Sequence, residues 1–426
     1  MVLVVYSLLA RFAALLIRLF AILGHSKSSA LLKMRAANND IDFTYTGNDS
    51  ESSPYAWFHC ASLGEYEQAA PVIESYISRY PSTPILLTLF SPSGFLPLTT
   101  KSIPKWLRPQ DKIAALPLDT PIAVSKFLKY PGLKLKFFAT CKYEVWPVLQ
   151  NKLSKAGIPS FVFAAHFTPE SASLKSNFIG RFLLSSWRTF DKIFTQDESS
   201  SKLLKVHGIE SISVGDPRAD RVLRLAEEVD TKSFADLLLW KGSARVVLAG
   251  SSWPEEESAL ALCNWDNETK LIIAPHEVDE AHISSIVEKF YNDIPNGISK
   301  LSSGSPPQSS SVLIIDSIGL LSSLYALADL AVIGGGFGSG IHNVLEPVAF
   351  GVPVISGPNI ARFREAHALK SIGALQVADS VYDLRDLLEE LLLKNNSAHL
   401  KDIGSSAKSW LIEQKGAAEK ITSYLP

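Results

Sequence analysis

The sequence predicts an α/β protein of two doubly wound domains in series, each a parallel sheet covered by helices, preceded by an apolar N-terminal helix. Three observations predict it. From Tyr55 to about Gly215, short apolar runs alternate with helix-length amphipathic stretches, the rhythm of β-α units around a parallel sheet. The same rhythm restarts at Arg245, after the charged stretch ADRVLRLAEEVD. The chain has 426 residues, and single cores usually stop growing at roughly 250–300.

The first element is MVLVVYSLLARFAALLIRLFAILGHS, apolar from Val2 to Leu23 except for Arg11 and Arg18. A spanning helix needs ~20 residues with few or no charges, so this stretch is marginal for crossing a bilayer. Five cations, Arg11, Arg18, Lys27, Lys33 and Arg35, precede the first acid, Asp40, which suits an anionic cytoplasmic leaflet. Residues 1–36 therefore read as a membrane anchor with a basic flank. A cleaved signal peptide fits less well, because the arginines lie inside the apolar stretch and no small-x-small site precedes the charged region. A soluble core helix is disfavoured because apolar residues surround almost the whole helix.

Elsewhere the charge is balanced, 41 Lys and Arg against 43 acids, which argues against a nucleic-acid partner. Three widely spaced cysteines suggest neither a disulfide framework nor a zinc site, as in a reduced, intracellular chain.

The apolar runs that predict strands lie at 57–58, 85–90, 136–139, 160–164, 192–195 and 211–214, then at 245–249, 271–274, 312–315, 330–333 and 353–355. The first domain is placed at 37–215 and the second at 216–404, with the boundary stretch ending near Lys241. SSGSPPQSSS, residues 302–311, reads as a polar surface loop. After Ser380 the chain reads as helical, closing in the segment 405–426 with one last helix from about Ser405 to Tyr424. Doubly wound domains facing one another would gather the loops after their strands around a central cleft.

Two loops carry chemistry. In WFHCASLGEYEQAAP, residues 57–71, a strand breaks into a small-residue loop that enters a helix near Glu65. A carboxylate there is either ordinary dipole compensation or a working group. In LAVIGGGFGSGIHNVLEPVAFGVPVISGPN, residues 330–359, glycines follow a buried strand and a helix is expected to start near Asn343. Such a loop lets backbone approach a ligand, and unpaired amides at the helix start suit a phosphate or carboxylate. Asn343 and Glu346 also have the spacing of a capping box, so Glu346 is either a cap or a ligand contact. The glycine run lacks the dinucleotide fingerprint with its downstream acid, which leaves an oxidoreductase unsupported. No Asp-x-Asp pair stands at a strand end, and HxxEH and Cys-His spacings are missing, so no metal is expected.

Gly335-Gly336 followed by Gly340-Ile341-His342-Asn343-x-x-Glu346-Pro347 resembles the GG…GGHNxLEPxxxGxPV stretch of the 3-deoxy-manno-octulosonic acid (Kdo) transferases of lipopolysaccharide synthesis. HCASLGE at 59–65 is similar to that family's HxxSxGE, SPSG at 91–94 to its acceptor-side loop, and YEVWP at 143–147 to its TELWP. GSSWPEEE at 250–257 resembles GSTHxGEE, and FREAHALK at 363–370 resembles the FREI-type helix. Order and spacing agree over roughly residues 55–375. There are departures: Pro275-His276-Glu277 stands for the family's Arg-His-Pro, AAHFTPES at 164–171 for an Arg-rich loop, and Lys142 for an acid.

The resemblance implies a GT-B glycosyltransferase architecture that moves Kdo from CMP-Kdo to the lipid A precursor at the cytoplasmic face of the inner membrane, without a cofactor. It implies Glu65 as general base. Ser62 and Gly64 would shape its loop, with Ser93 and Gly94 bordering the acceptor. His59 would orient Glu65 or contact acceptor phosphate, or else be a strand-end histidine satisfied by backbone. The donor would meet Gly335, Gly336, Gly340, Asn343 and Glu346. Ser251 and Ser252 would donate to phosphate or cap a helix. His276 would touch the nucleotide or be an ordinary surface or core histidine, and Arg218 would pair with donor phosphate or be solvated. Inversion at the anomeric carbon follows from one base and no covalent nucleophile. The rival readings are a GT-B transferase using a UDP-sugar, a nucleotide-sugar epimerase, and a silent scaffold of the same fold.

Overall fold

The computed structural model describes residues 2–43, 53–290, 297–392 and 397–426. The chain divides into two units: Met1–Arg221 with Lys415–Pro426, and Val222–Gln414. Among the described residues each unit holds one seven-stranded parallel sheet.

In the first unit the strands are β1 Tyr55–Cys60, β2 Ile85–Leu89, β3 Lys112–Ala115, β4 Leu135–Cys141, β5 Ser160–Ala165, β6 Lys192–Thr195 and β7 Ile212–Ser213. Their order is β3-β2-β1-β4-β5-β6-β7. Parallel strands need crossovers, and helices on both faces bury both sides of the sheet. β1 illustrates this, since successive residues point to opposite faces: Ala56, Phe58 and Cys60 join one buried cluster, whereas Tyr55 and Trp57 join the other. The winding reverses between β1 and β4, which is where such sheets present their ligand loops.

The second unit repeats the plan with β8 Arg245–Ser252, β9 Thr269–Pro275, β10 Ile298–Lys300, β11 Val312–Ile314, β12 Leu330–Ile333, β13 Val354–Ser356 and β14 Leu375–Val377. The order is β10-β11-β9-β8-β12-β13-β14, so β8 and β12 flank its reversal point. Both expected carriers of chemistry thus follow strands at reversal points: residues 61–65 follow β1, and residues 334–346 follow β12.

Before the first sheet stand helices α1, Val2–Ile22, and α2, Ser26–Ala36. α3, Leu63–Arg79, follows β1, and α4, Pro92–Thr100, follows β2. The single closing helix expected to Tyr424 is instead two, Ser397–Glu413 and Ala417–Tyr424. Gly416 breaks them at φ 100°, a left-handed conformation that glycine adopts without strain. The Asp220 carboxylate accepts from the Gly416 and Ala418 amides at 2.6 and 2.8 Å. The last helix then packs along α3, where the Tyr76 hydroxyl donates to the Pro426 carbonyl at 2.8 Å.

Candidate active site

In the first unit, β1 ends at Cys60 and α3 begins at Leu63, so residues 61–62 form a very short turn. Ser62 is the N-cap of α3 but makes no side-chain cap. That role falls to Glu65, which reaches back from the first turn: the Ala61 amide donates to its Oε2 at 2.5 Å, and the Ser62 amide also bonds to it. Glu65 is half-buried, and burial pushes its carboxyl up while the Ala61 amide, Lys142 and the Ser62 amide pull it down. A carboxylate held above its ordinary range by burial is a better proton acceptor than a solvated one.

α4 is fastened against this turn. The Ser91 amide donates to the Ala61 carbonyl at 2.8 Å. A Cβ on Gly94 would stand 2.9 Å from the Leu63 amide nitrogen and 3.0 Å from the Ser62 carbonyl carbon, so only glycine lets the two loops meet this closely. Ser93 and Ser91 share a 2.6 Å hydroxyl contact at the same edge. Ser62, Gly64, Glu65, Ser93 and Gly94 are therefore brought together. Gly64 is open, with no atom near a would-be Cβ, so close packing does not account for it.

His59 is not among them. Its ring is wholly buried, Nδ1 bonds Thr88 at 3.0 Å, and burial above all lowers its pKa to about 3, so it stays neutral. The contact with acceptor phosphate expected of it does not fit this position, because a residue inside β1 with its ring against Phe138 and Trp146 lies behind the loop.

The loop after β4 supplies what sequence reasoning missed. Lys142 has φ 62°, a left-handed conformation costly for a non-glycine residue and common at working sites. The Glu144 carboxyl is pushed up to about 7 by burial and then by the nearby charge of Glu65. The Asp216 carboxyl is pushed up by burial, but Arg218 and then Lys142 outweigh that and leave it below the usual range. Arg218 was expected among donor contacts of the second domain. It lies in the first unit and pairs with Asp216 at 2.7 Å. The departure of Lys142 from the family pattern was the one available sign that charges cluster here.

In the second unit, β12 runs into the glycine loop. Gly335 turns at φ 85°, and its carbonyl accepts from the Gly338 and Gly340 amides, both at 3.1 Å. A Cβ on Gly336 would lie 2.4 Å from the Gly357 nitrogen. Asn343 accepts from the Leu345 amide at 3.1 Å and donates from Nδ2 to Glu346 at 3.1 Å. The helix expected near Asn343 is Leu345–Ala349, with Val344 as its N-cap. One turn of helix aligns few peptide dipoles, so any anion held here would rest on loop amides rather than on a macrodipole.

β8 leads into Ser251, at φ 51°, and Ser252. Ser252 is buried, and its hydroxyl is committed to Glu257 at 3.1 Å, so the phosphate contact expected of it is already occupied. Glu257 is itself buried, with His282 at 2.9 Å and Lys289 at 3.4 Å. Beside them His276 stacks between Trp253, 4.8 Å away at 21°, and His342, 4.6 Å away at 29°. Trp253 Nε1 donates to His342 Nε2 at 3.2 Å. Burial, then His276, lowers the His342 pKa, which keeps that nitrogen free to accept. The stack joins three segments noted in the sequence, 250–257, 275–277 and 335–346, but Trp253 and His342 were not singled out. One further group was missed: donor atoms of Glu277, Asp279 and His282 lie within 4.8 Å of one another, the two acids being exposed.

A family model described as 3-deoxy-D-manno-octulosonic-acid transferase (kdotransferase) matches residues 36–220. The chain is 26% identical over 397 residues to the 3-deoxy-D-manno-octulosonic acid transferase of Haemophilus influenzae, covering 90% of this chain and 89% of that one. The transferase of the same name from Bordetella pertussis is 26% identical over 386 residues, covering 87% and 86%. Among solved structures, a UDP-GlcNAc 2-epimerase from Neisseria meningitidis bound to UDP-GlcNAc is similar with TM-score 0.57 at 11% identity, covering 84% of this chain and 99% of that one. Phytolacca americana UGT2, complexed with UDP-2fluoro-glucose and pterostilbene, is similar with TM-score 0.52 at 11% identity, covering 87% and 98%. At such identity the two structures bear on fold alone, which is of the GT-B kind.

Proposed function

From the premise that this chain belongs to the Kdo transferase family, and is therefore a glycosyltransferase of lipopolysaccharide synthesis, we propose that it transfers Kdo from CMP-Kdo to the lipid A precursor, lipid IVA, with Glu65 as general base. The observation that supports the proposal is where Glu65 stands: half-buried in the first turn of α3, just after the strand beside the reversal point, its carboxyl raised by burial against the opposing pull of the Ala61 amide and Lys142.

The steps follow from the residues. Glu65 takes the proton of the acceptor hydroxyl as its oxygen attacks the ketosidic carbon of CMP-Kdo. The bond to the CMP phosphate breaks on the opposite side, so configuration inverts, and CMP leaves with the bonding electron pair. The amides of Gly336, Phe337 and Ser339, with Ser251 and His276 at the loop's edge, would bind the nucleotide phosphate, those of Gly334, Gly338 and Gly340 bonding backbone carbonyls, and Glu346 would bind the ribose hydroxyls. Ser252 drops out of the donor set, because its one O–H is given to Glu257, whereas Arg218 gives Asp216 only Nε and Nη2. Transfer is proposed to be metal-independent.

α1, with its basic flank, would hold the first unit on the anionic cytoplasmic leaflet of the inner membrane, where the lipid acceptor resides. Purified protein with CMP-Kdo and lipid IVA, read by mass spectrometry of the lipid, tests the reading. A gain of one or more Kdo units is expected, unchanged by a chelator. No gain with CMP-Kdo, or a gain only with UDP-sugars, would overturn it. Loss of activity on chelation would instead point to Glu277, Asp279 and His282.

A further inference from the structure

We propose that α1 lies flat within one leaflet of an anionic membrane, fastened lengthwise to the first unit, and does not cross the bilayer. The proposal rests on the reading above that α1 meets a membrane, and it settles how. By length and composition α1 passes as a span: 21 residues, or about 31 Å at 1.5 Å per residue, against a hydrocarbon core of about 30 Å. Crossing would put its two ends on opposite sides of the membrane.

Both ends are instead fixed to the same unit. At the first, Leu3 and Tyr6 pack against the cluster built on Trp57 and Phe138, and the Tyr6 ring lies 5.5 Å from Phe182. The Tyr6 hydroxyl bonds the Asp119 carboxylate, which also accepts from the Val148 and Leu149 amides at 3.0 and 2.9 Å. At the second, the Ser29 hydroxyl donates to the Ala21 carbonyl at 3.3 Å, and α2 carries on into the domain. Its Met34 is buried in the core, Arg35 donates to the Phe90 carbonyl at 3.3 Å, and Asn38 exchanges two hydrogen bonds with Ala115.

Between these ends a half-covered stripe, Leu3, Tyr6, Ala10, Ala14, Ile17 and Ala21, recurs every three or four residues along the whole helix, the period of one helical face. Away from it, Val4, Leu8, Phe12, Leu15, Leu19 and Ile22 are exposed. The apolar surface continues onto Phe178 and Ile179, exposed one turn before Phe182. Arg11 sits near the middle of α1 and is exposed, as is Arg18. In a spanning helix Arg11 would stand near the bilayer centre, where a cation is costly. In a flat helix both guanidinium groups reach the headgroups while their stems stay in the apolar layer.

The test uses the full chain reconstituted in phosphatidylethanolamine–phosphatidylglycerol vesicles. The native cysteines are buried, so introduced ones report alone. Val2→Cys and Gly24→Cys are expected to react with an impermeant maleimide from the same side as Glu170→Cys, and spin labels at Val4→Cys, Phe12→Cys and Leu19→Cys to lie at similar shallow depth. Reaction of the two end positions from opposite sides, with Phe12 deepest, would overturn the flat helix while leaving membrane attachment intact. Failure to sediment with vesicles would remove both.

Discussion

The loops at the two reversal points stand at the same kind of place, in parallel sheets whose strand orders differ in that β11 lies between β10 and β9, and have opposite chemistry. In the first unit, charges gather after β1 and β4: Glu65, Lys142 and Glu144 share each other's fields, with Asp216 and Arg218 beside them. In the second unit, glycines and a three-ring aromatic stack occupy the loops after β8, β9 and β12, and the buried carboxylates just after β8, Glu256 and Glu257, are both partnered. The fold supplies a location, and side chains decide its use. A field of coupled charges suits moving a proton, and a close-fitting backbone loop suits receiving a nucleotide.

The strongest way to break the comparison is to remove the proposed base. Glu65→Gln keeps the size and the acceptor oxygen for the Ala61 amide, so the protein is expected to stay folded. Transfer is expected to fall about 10²–10⁴-fold, the usual worth of a general base, with little change in donor affinity. A variant that lost donor binding as well would show that the two regions do not divide the work. The next largest effect belongs to the second region. Gly336→Ala forces a Cβ to within 2.4 Å of the Gly357 nitrogen, and overpacking against backbone costs roughly 1–3 kcal/mol. CMP affinity measured by calorimetry is expected to fall while Glu65-dependent chemistry at saturating donor is largely kept.

Most of the frame was legible in the sequence, and what was missed shares a physical cause. The runs at 85–90 and 330–333 announce β2 and β12 because strands covered on both faces are continuously apolar. β3, β10 and β14 escaped: KIAA, ISK and LQV are three or four residues long and lie at sheet edges, where one side is unpaired and short polar strands are tolerated. In the site, loops and glycines could be read because backbone geometry restricts which residue stands there. Glu144, Asp216 and the Trp253–His276–His342 stack could not, since each acts through neighbours distant in sequence. Ser252 shows the converse: its residue type suits phosphate, but Glu257 already holds its one O–H.

A smaller effect sharpens the charged side. The Glu144 carboxyl, ordinarily near 4.5, sits at about 7 in the folded chain, so the folded state holds this proton more tightly than the unfolded one. Its contribution to stability is therefore complete below about pH 4.5 and is lost as pH rises through about 7. Discounted for partial exposure, the loss is on the order of 1–2 kcal/mol. Glu144→Gln should flatten the fall in denaturant midpoint between about pH 5 and about pH 8. An unchanged slope would mean that neither burial nor the charge of Glu65 raises the Glu144 carboxyl in the folded chain.

The smallest expected effect probes the aromatic side. Trp253→Phe keeps an aromatic face for His276 but removes the indole N–H that donates to His342 Nε2 at 3.2 Å. That bond favours the neutral imidazole, because a protonated Nε2 cannot accept. Without it the His342 pKa, held down by burial and by His276, should move up toward its ordinary value, measurable by NMR titration. A single net hydrogen bond is worth about 0.5–1.5 kcal/mol, so donor affinity should weaken by roughly two- to tenfold, with more of the loss at acid pH, where His342 in the variant begins to carry charge. If instead the titration did not move while affinity collapsed, the indole would be touching the nucleotide itself, and the stack would be a contact surface rather than the scaffold that positions His276.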